Sequence, residues 1–128
     1  MLRMVIALIA GFAIMTFIVL LATIAEAMAT GAVAVNPTGA HLVVNVGYTA
    51  AAALVGGYAT ASLAPARPAA HAAVLAAMAF IVAASSLLYP QPDQERIYLA
   101  LLMAASPLGV LAGGWLRGAQ VRRRRPKA

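Results

Sequence analysis

The fold is decided by a long apolar stretch near the start of the sequence, Met4-Val-Ile-Ala-Leu-Ile-Ala-Gly-Phe-Ala-Ile-Met-Thr-Phe-Ile-Val-Leu-Leu-Ala-Thr-Ile-Ala25. No charged residue interrupts it. A helix rises about 1.5 Å per residue, so a stretch of this length can cross the roughly 30 Å hydrocarbon core of a bilayer. It therefore predicts a first transmembrane helix over about 4–28.

A cleaved signal peptide is the alternative interpretation of this stretch. Arg3 would supply its positive region, and Ala27-Met28-Ala29 would supply a small-residue cleavage site. The apolar stretch is longer than the roughly 7 to 15 residues that signal peptides use. We therefore expect a helix that stays in the protein.

Three further apolar stretches predict transmembrane helices over about 41–63, 69–89 and 97–116. Proline and glycine separate them. Gly and Asn-Pro interrupt residues 30–40, two prolines enclose Arg67, and Pro90-Gln-Pro92 ends the third stretch. Pro107 lies in the middle of the fourth stretch, where it is expected to remove a backbone hydrogen bond and kink the helix.

The composition agrees with a membrane protein. Of the 128 residues, 64% are hydrophobic and 9% are charged, and the mean hydropathy is +0.93. A chain of this size cannot bury so much apolar surface in one soluble core. It contains no cysteine, which excludes disulfides, thiolate metal sites and thiol nucleophiles. The predicted fold class is an all-α membrane protein, with a four-helix transmembrane domain over 1–117 and a basic cytoplasmic tail over 118–128.

Basic residues predict the sidedness of the helices. The C-terminal cluster consists of Arg117, Arg122, Arg123, Arg124, Arg125 and Lys127. With four spans, Arg3 and Arg67 fall on the same side as this cluster, whereas Arg96 falls on the other side. Both termini are therefore expected in the cytoplasm. The abundance of Ala, and of Arg over Lys, suggests a bacterial protein, so the expected location is a bacterial inner membrane.

The same cluster leads to a prediction about partners. Its position directly after a transmembrane helix favours contact with anionic lipid headgroups. Nucleic acid is the alternative partner of an arginine-rich segment. We do not expect nucleic acid here, because basic residues beside a span commonly fix its topology.

Aromatic residues are expected to form a belt at each membrane interface. Tyr58 and Trp115 fall near the ends of their helices on the basic side. Tyr89 and Tyr98 fall near the opposite side. Tyrosine and tryptophan favour these depths because their rings are apolar and their polar atoms reach water.

Small residues recur one turn apart on helices two and four, a spacing that lets two backbones approach closely. The glycines expected to mediate helix packing are Gly56, Gly57, Gly109, Gly113 and Gly114. Leu54-Val-Gly-Gly-Tyr-Ala59 also matches Leu111-Ala-Gly-Gly-Trp-Leu116, and Phe17-Ile-Val19 matches Phe80-Ile-Val82. The matches suggest two parallel helical hairpins, with chance similarity as the alternative. The small faces would serve packing within the chain or contact with a partner protein.

Glu26 and Asn45 are the candidates for a polar path. Glu26 follows Thr23 on helix one, and an acidic residue inside a membrane is a functional hypothesis by default. Because Glu26 is near the end of its helix, an interfacial carboxylate is the alternative.

Two histidines are candidate ligands. His41 stands one turn before Asn45, and a neutral imidazole could bind a metal or the magnesium of a chlorophyll-type pigment. A helix cap or an interhelical hydrogen bond is the alternative, both for His41 and for His71. No residues have the spacing of a metal site or of a nucleophile with its base, so we expect no metal and no enzymatic activity.

Two functions remain as main hypotheses. The first is a non-enzymatic accessory or structural subunit of a larger, for instance energy-converting, membrane complex, because the spans carry almost no charge and little of the chain lies outside them. The alternative is a small homo-oligomeric channel or transporter that uses Glu26, Asn45 and the kink at Pro107. A third hypothesis is contact with a pigment or quinone through His41. Membrane lipids and other integral membrane proteins are the expected partners.

Overall fold

The structure is a computed structural model that describes residues 2–31, 39–64, 67–88 and 96–124. Its helices are α1 (Leu2–Thr30), α2 (Ala40–Leu63), α3 (Pro68–Leu88) and α4 (Arg96–Arg124). All four are long and apolar enough to cross a membrane, and the described residues contain no strand. The prediction of an all-helical chain with four helices of membrane-spanning length is confirmed.

The helix ends lie within two residues of the predicted bounds, except at the end of α4. Gly31 ends α1 with a φ of 72°, and its N–H donates to the carbonyl oxygen of Ala27 at 2.9 Å, a common way of closing a helix with glycine. Pro68 is the first residue of α3, where its missing N–H costs nothing.

Helix α4 continues to Arg124, eight residues beyond the predicted end of its span at 116. The residues after Leu116 include Ala, Gln and Arg, which favour helix, so nothing breaks the helix where the apolar sequence stops. The first part of the predicted tail, 118–124, is therefore helical, while 125–128 lies outside the described residues. Pro107 lies inside the same helix.

The order of the helices around the bundle follows from their contacts. Helices α2 and α3 each pack against both α1 and α4, whereas α1 and α4 do not pack against each other over their described lengths. Helices α2 and α4 run in the same direction, because Asn45 meets Tyr98 near their starts and Tyr58 meets Gln120 near their ends.

Two further contacts give the directions of the other helices. Glu26 at the end of α1 meets His41 at the start of α2. Ala72 near the start of α3 meets Gly114 of the later part of α4, so consecutive helices alternate in direction.

The bundle has two ends with different chemistry. Helices α1 and α3 begin, and α2 and α4 finish, at the end that we call the basic end, which carries Arg67 and Arg117. The opposite end carries Glu26 and His41 and is called the His41 end.

Close packing between α2 and α4 depends on three glycines, namely Gly57 of α2 and Gly109 and Gly113 of α4. A Cβ atom added at Gly109 would lie 2.7 Å from the carbonyl oxygen of Ala50. A Cβ atom added at Gly57 would overlap the carbonyl oxygen of Val110, and one added at Gly113 would overlap that of Leu54. Each helix therefore supplies a glycine where the other helix brings its backbone nearest. This mutual fit makes the contact between α2 and α4 the most extensive in the bundle.

The two Gly-Gly pairs have different neighbours at corresponding positions. In α2, Gly56 faces Gly11 of α1 and Gly57 faces α4. In α4 the order is reversed, because Gly113 faces α2 and Gly114 faces Ala72 of α3. The matching sequences therefore do not make matching contacts.

The core lies where the helices are closest. Ala53, Leu75, Ala76 and Val110 are buried together, and Leu8, Phe12 and Met15 of α1 pack partly against them. Helix α1 is the least buried of the spans, and its outer face consists of exposed Ile, Leu and Phe side chains. Such a face suits lipid hydrocarbon, where apolar exposure carries no penalty.

Candidate functional site

A partly open cavity of about 470 Å³ lies between the helices of the bundle and is lined by side chains from all four of them. Its volume is in the range of roughly 300 to 1,000 Å³ that small-molecule sites occupy. The lining residues of α1 and α2 fall in 12–23 and 45–49, so the cavity lies toward the His41 end. Apolar side chains such as Phe12, Val19 and Leu102 share its wall with hydroxyl and amide groups.

A hydrogen-bonded cluster, which we call the Asn45 network, joins three helices at this cavity. Its members are Thr23 of α1, Asn45 and Tyr48 of α2, and Tyr98 of α4. The Tyr98 hydroxyl donates to Asn45 Oδ1 at 2.7 Å, Asn45 Nδ2 donates to the Tyr48 hydroxyl, and Tyr48 and Thr23 are linked at 3.0 Å. All four residues line the cavity.

The hydrogen bond that Thr23 donates to its own helix fixes which group donates and which accepts in every other bond of the network. Thr23 donates its proton to the carbonyl oxygen of Val19 at 2.9 Å, so it can only accept from Tyr48. Tyr48 therefore donates to Thr23 and accepts from the amide nitrogen of Asn45. This leaves Asn45 Oδ1 for the Tyr98 proton, which assigns the orientation of the amide group.

Glu26 and His41 pair beside the network. His41 Nδ1 lies 3.1 Å from Glu26 Oε1, and this contact ties the end of α1 to the start of α2. The Glu26 side chain is 12% exposed and that of His41 is 52% exposed, so the carboxylate is largely buried whereas the imidazole reaches the surface. Neither residue lines the cavity.

A second set of polar side chains lines the cavity without forming hydrogen bonds to the rest of the described chain. We call these side chains the open hydroxyls: Thr16, Thr49, Ser86 and Ser106. None of them has a hydrogen-bond partner among the described residues, in contrast to Thr23 and Ser85, which donate to their own helices. The cavity wall therefore offers unused donors and acceptors from all four helices.

The cavity is closed toward the basic end and open at its side. On the side of the basic end, Gly11 of α1 contacts Gly56 of α2. One turn closer to that end, Thr60 is fully buried and donates to the carbonyl oxygen of Ala7 at 3.2 Å. In the other direction, Thr16 of α1 and Val82 of α3 line the cavity but are exposed, Val82 by 54%. The opening therefore lies between α1 and α3.

His71 is buried at the basic end. It is 7% exposed, and its Nδ1 donates to the carbonyl oxygen of Arg67 at 3.1 Å, a contact within the first turn of α3. Its Nε2 has no partner in the described part of the chain. A small apolar cavity of about 150 Å³ beside it is lined by residues of α1 and α3 such as Leu8 and Val74. The described residues include no group of three or more His, Cys, Asp or Glu side chains that could hold a metal.

Some residues of the C-terminal basic cluster lie within the part of the chain that the structure describes, and others do not. Arg117 lies 6.0 Å from the centre of the Tyr58 ring, whose hydroxyl donates to Gln120 at 2.8 Å. Arg122 and Arg123 are exposed on the last turns of α4, and Arg124 is its final residue. Arg125 and Lys127 lie outside the described residues, as does Tyr89.

The sequence singled out some of these residues and missed others. Asn45 was a candidate and lines the cavity, and His41 and Glu26 were placed at similar depth and are in contact. Tyr98, which was expected near an interface, is 8% exposed and bonded to Asn45, and its depth in the membrane stays a prediction. Tyr48 was missed, although its spacing of three residues from Asn45 places both on one helix face.

Comparison with known proteins returned no match. No model of a protein family, no curated protein and no solved structure matches this chain. The cavity, the Asn45 network and the open hydroxyls are thus the features from which a function can be inferred.

Proposed function

We propose that this protein is a non-enzymatic membrane protein that binds a small molecule in its central cavity and carries it across the bilayer as a small transporter. The observation that supports this proposal is the cavity itself, which all four helices line with hydrogen-bonding groups. A polar wall inside a bundle of apolar helices is costly unless its groups have partners. A bound molecule would supply those partners.

Closure of the cavity toward the basic end supports carriage rather than simple storage. Contacts between small residues close the cavity toward the basic end, whereas the wall near Thr16 and Val82 is exposed. A carrier needs states in which its site is open on one side and closed on the other. In this proposal, the smooth Gly11 and Gly56 faces of α1 and α2 are the surfaces that slide or part in the second state.

The proposed setting is a bacterial inner membrane with both termini in the cytoplasm. Arg67 and Arg117 at the basic end support that orientation through the bias of basic residues toward the cytoplasm. The exposed Arg122 and Arg123 would then contact anionic headgroups. The derivation of both hairpins from one ancestor stays a prediction.

Native mass spectrometry tests the binding function. Protein released from mild detergent is expected to carry a discrete bound mass. Ala83→Phe places a ring in the cavity wall and should remove that mass, whereas Ala77→Phe on the exposed face of the same helix should retain it. Uptake of the eluted molecule by proteoliposomes then measures transport. Detection of the bare protein alone would contradict the proposal.

A second candidate function, an accessory subunit of a larger membrane complex, is favoured by one face of α2. Gly47 and Ala51 lie one turn apart there and are exposed, and nothing approaches within 4 Å of where a Gly47 Cβ would be. Small residues on an outer face let the helix of another polypeptide approach closely. This partner would be an integral membrane protein.

Crosslinking in native membranes distinguishes the two functions. A photoreactive amino acid at Ala51 should crosslink to one defined polypeptide if the chain is a subunit, whereas the same group on the lipid-facing position Leu20 should not. Crosslinks to lipid alone from both positions would exclude the subunit hypothesis and leave the carrier proposal unaffected.

A further inference from the structure

We infer that the molecule bound in the cavity is an uncharged amphipath, with an apolar body and a hydroxyl- or carbonyl-bearing head, and that it enters sideways from the bilayer between α1 and α3. This inference rests on the proposed binding function and specifies its ligand and route.

The open hydroxyls define what the head must supply. Thr49 of α2, Ser86 of α3 and Ser106 of α4 line the cavity from three sides and have no hydrogen bonds to other described residues. Hydroxyls without partners in an apolar environment cost free energy, so an occupant that donates and accepts hydrogen bonds is favoured over a hydrocarbon chain alone. Hydroxyl and carbonyl groups fit this requirement.

Among the described residues, the cavity wall carries no charged side chain, and this favours a ligand without net charge. No residue that lines the cavity, within the described part of the chain, is acidic or basic. The Glu26 carboxylate is already paired with His41, at 3.1 Å, and lies outside the lining. A charged ligand would lose its hydration without gaining a counter-charge, which is strongly unfavourable inside a membrane. The ligand is therefore uncharged.

The apolar part of the wall accommodates the body of the ligand. Phe12, Val19 and Leu102 face the same cavity as the hydroxyls. Burial of apolar surface against these side chains holds the body, and the hydroxyls fix the head, as in other small-molecule sites.

The route follows from the position of the opening. Helices α1 and α3 meet near the basic end, where Leu8 and Val74 line the small apolar cavity. Thr16 and Val82 lie well inside the two helices and are exposed, so the gap there faces hydrocarbon when the helices span a bilayer. An amphipath that is already dissolved in the bilayer reaches the cavity through this gap without crossing water.

Photolabelling in proteoliposomes tests the ligand class. The first probe is a monoacylglycerol with a diazirine in its acyl chain, and the second is the fatty acid with the same chain, which carries a carboxylate. Mass spectrometry should map the monoacylglycerol to the cavity segments 12–23 and 79–86, and the fatty acid to outer faces alone. Equal labelling of the cavity by both probes would overturn the assignment of an uncharged ligand.

Two aliphatic neighbours on α3 test the route. Val82→Trp fills the gap and is expected to lower cavity labelling by the monoacylglycerol about tenfold, equivalent to ~1.4 kcal/mol. Ile81→Trp, at a position that is 64% exposed and does not line the cavity, should leave the labelling unchanged. Equal labelling of both variants would show that the probe enters elsewhere.

Removal of single hydroxyls tests the head contacts. Thr49→Val and Ser106→Ala keep the shape of the wall and should each lower labelling about fivefold, the loss of one hydrogen bond. Ser85→Ala serves as the control, because Ser85 bonds to Val82 of its own helix and does not line the cavity. Undiminished labelling in the two cavity variants would contradict the proposed head contacts.

The binding function and this inference can fail separately. A charged molecule that elutes from the wild-type protein and is lost in Ala83→Phe would overturn the inference while supporting the binding function. Labelling confined to outer faces, together with the absence of any bound mass, would contradict both.

Discussion

The hydroxyl of Tyr98 donates a 2.7 Å hydrogen bond to Oδ1 of Asn45, and this contact joins the starts of the parallel helices α2 and α4. Asn45 passes the connection on to Tyr48 and, through it, to Thr23 of α1. Near the His41 end, the helices are thus joined by hydrogen bonds between polar side chains. Elsewhere in the bundle, the same helices are in contact through glycines and alanines. The cavity is the space that remains beside these longer side chains.

Tyr98→Phe is expected to destabilise the bundle by about 1 kcal/mol, because interhelical hydrogen bonds in membrane proteins average roughly 0.6 and reach about 1.7 kcal/mol. The substitution leaves Asn45 Oδ1 without its donor. The free energy of unfolding in bicelles, measured with Asn45→Leu and the double variant, gives the coupling between the two side chains. Tyr58→Phe removes the exposed bond to Gln120 and should change little. Additive single effects would contradict the coupling.

Gly57→Ala is expected to cost about 1–3 kcal/mol, the usual penalty for overpacking. The added methyl group would overlap the backbone of Val110, so α2 and α4 must separate. Gly47→Ala is the matched control on the same helix, because its Cβ would lie in open space. It should be neutral or stabilise by up to about 1 kcal/mol through helix propensity. Equal effects of the two substitutions would show that α2 and α4 do not meet at Gly57.

His41→Ala is expected to destabilise the protein more than Glu26→Gln does. The first change leaves a largely covered carboxylate without its partner, whereas the second removes the charge and keeps a hydrogen-bonding group opposite His41. The exposure of His41 keeps both effects modest. Unfolding of each variant at pH 7 measures the difference, and the reverse order would contradict the pairing.

Labelling of single cysteines tests the proposed orientation, because the chain has no cysteine of its own. Ala40→Cys at the His41 end should react with a maleimide that cannot cross the inner membrane, added to cells whose outer membrane has been permeabilised. Gln120→Cys at the basic end should react only after the inner membrane is opened. Both positions are exposed. The opposite pattern would place the termini outside.

Visible absorption and metal analysis of the purified protein test His41 as a ligand. The pairing of His41 Nδ1 with Glu26 leaves only Nε2 for a pigment or metal. If His41 holds a cofactor, His41→Ala should abolish the absorption or the metal content, and Glu26→Gln should shift it. An absorption spectrum with aromatic bands alone would remove the ligand hypothesis.

The sequence by itself determined the helices. Uncharged apolar stretches, separated by glycine and proline, have the length of a membrane span, and the helices begin and end close to those signals. The end of α4 was not predicted by hydropathy, because hydropathy indicates where the apolar span ends and a helix can continue beyond that point. Asn45 was found because an amide in an apolar helix stands out in any sequence.

The tertiary structure alone decided which helix faces meet. Tyr98 was expected near an interface because tyrosine favours that depth, and the structure adds that it is buried and bonded to Asn45 of another helix. Thr49 and Ser106 belong to different helices, and their sharing of one cavity depends on how the helices rotate about their axes. Rotation is set by the sum of many small packing contacts between helices, such as Gly57 against the backbone of Val110, rather than by any local pattern. The spans are thus a property of composition along the chain, whereas the cavity is a property of packing between the helices.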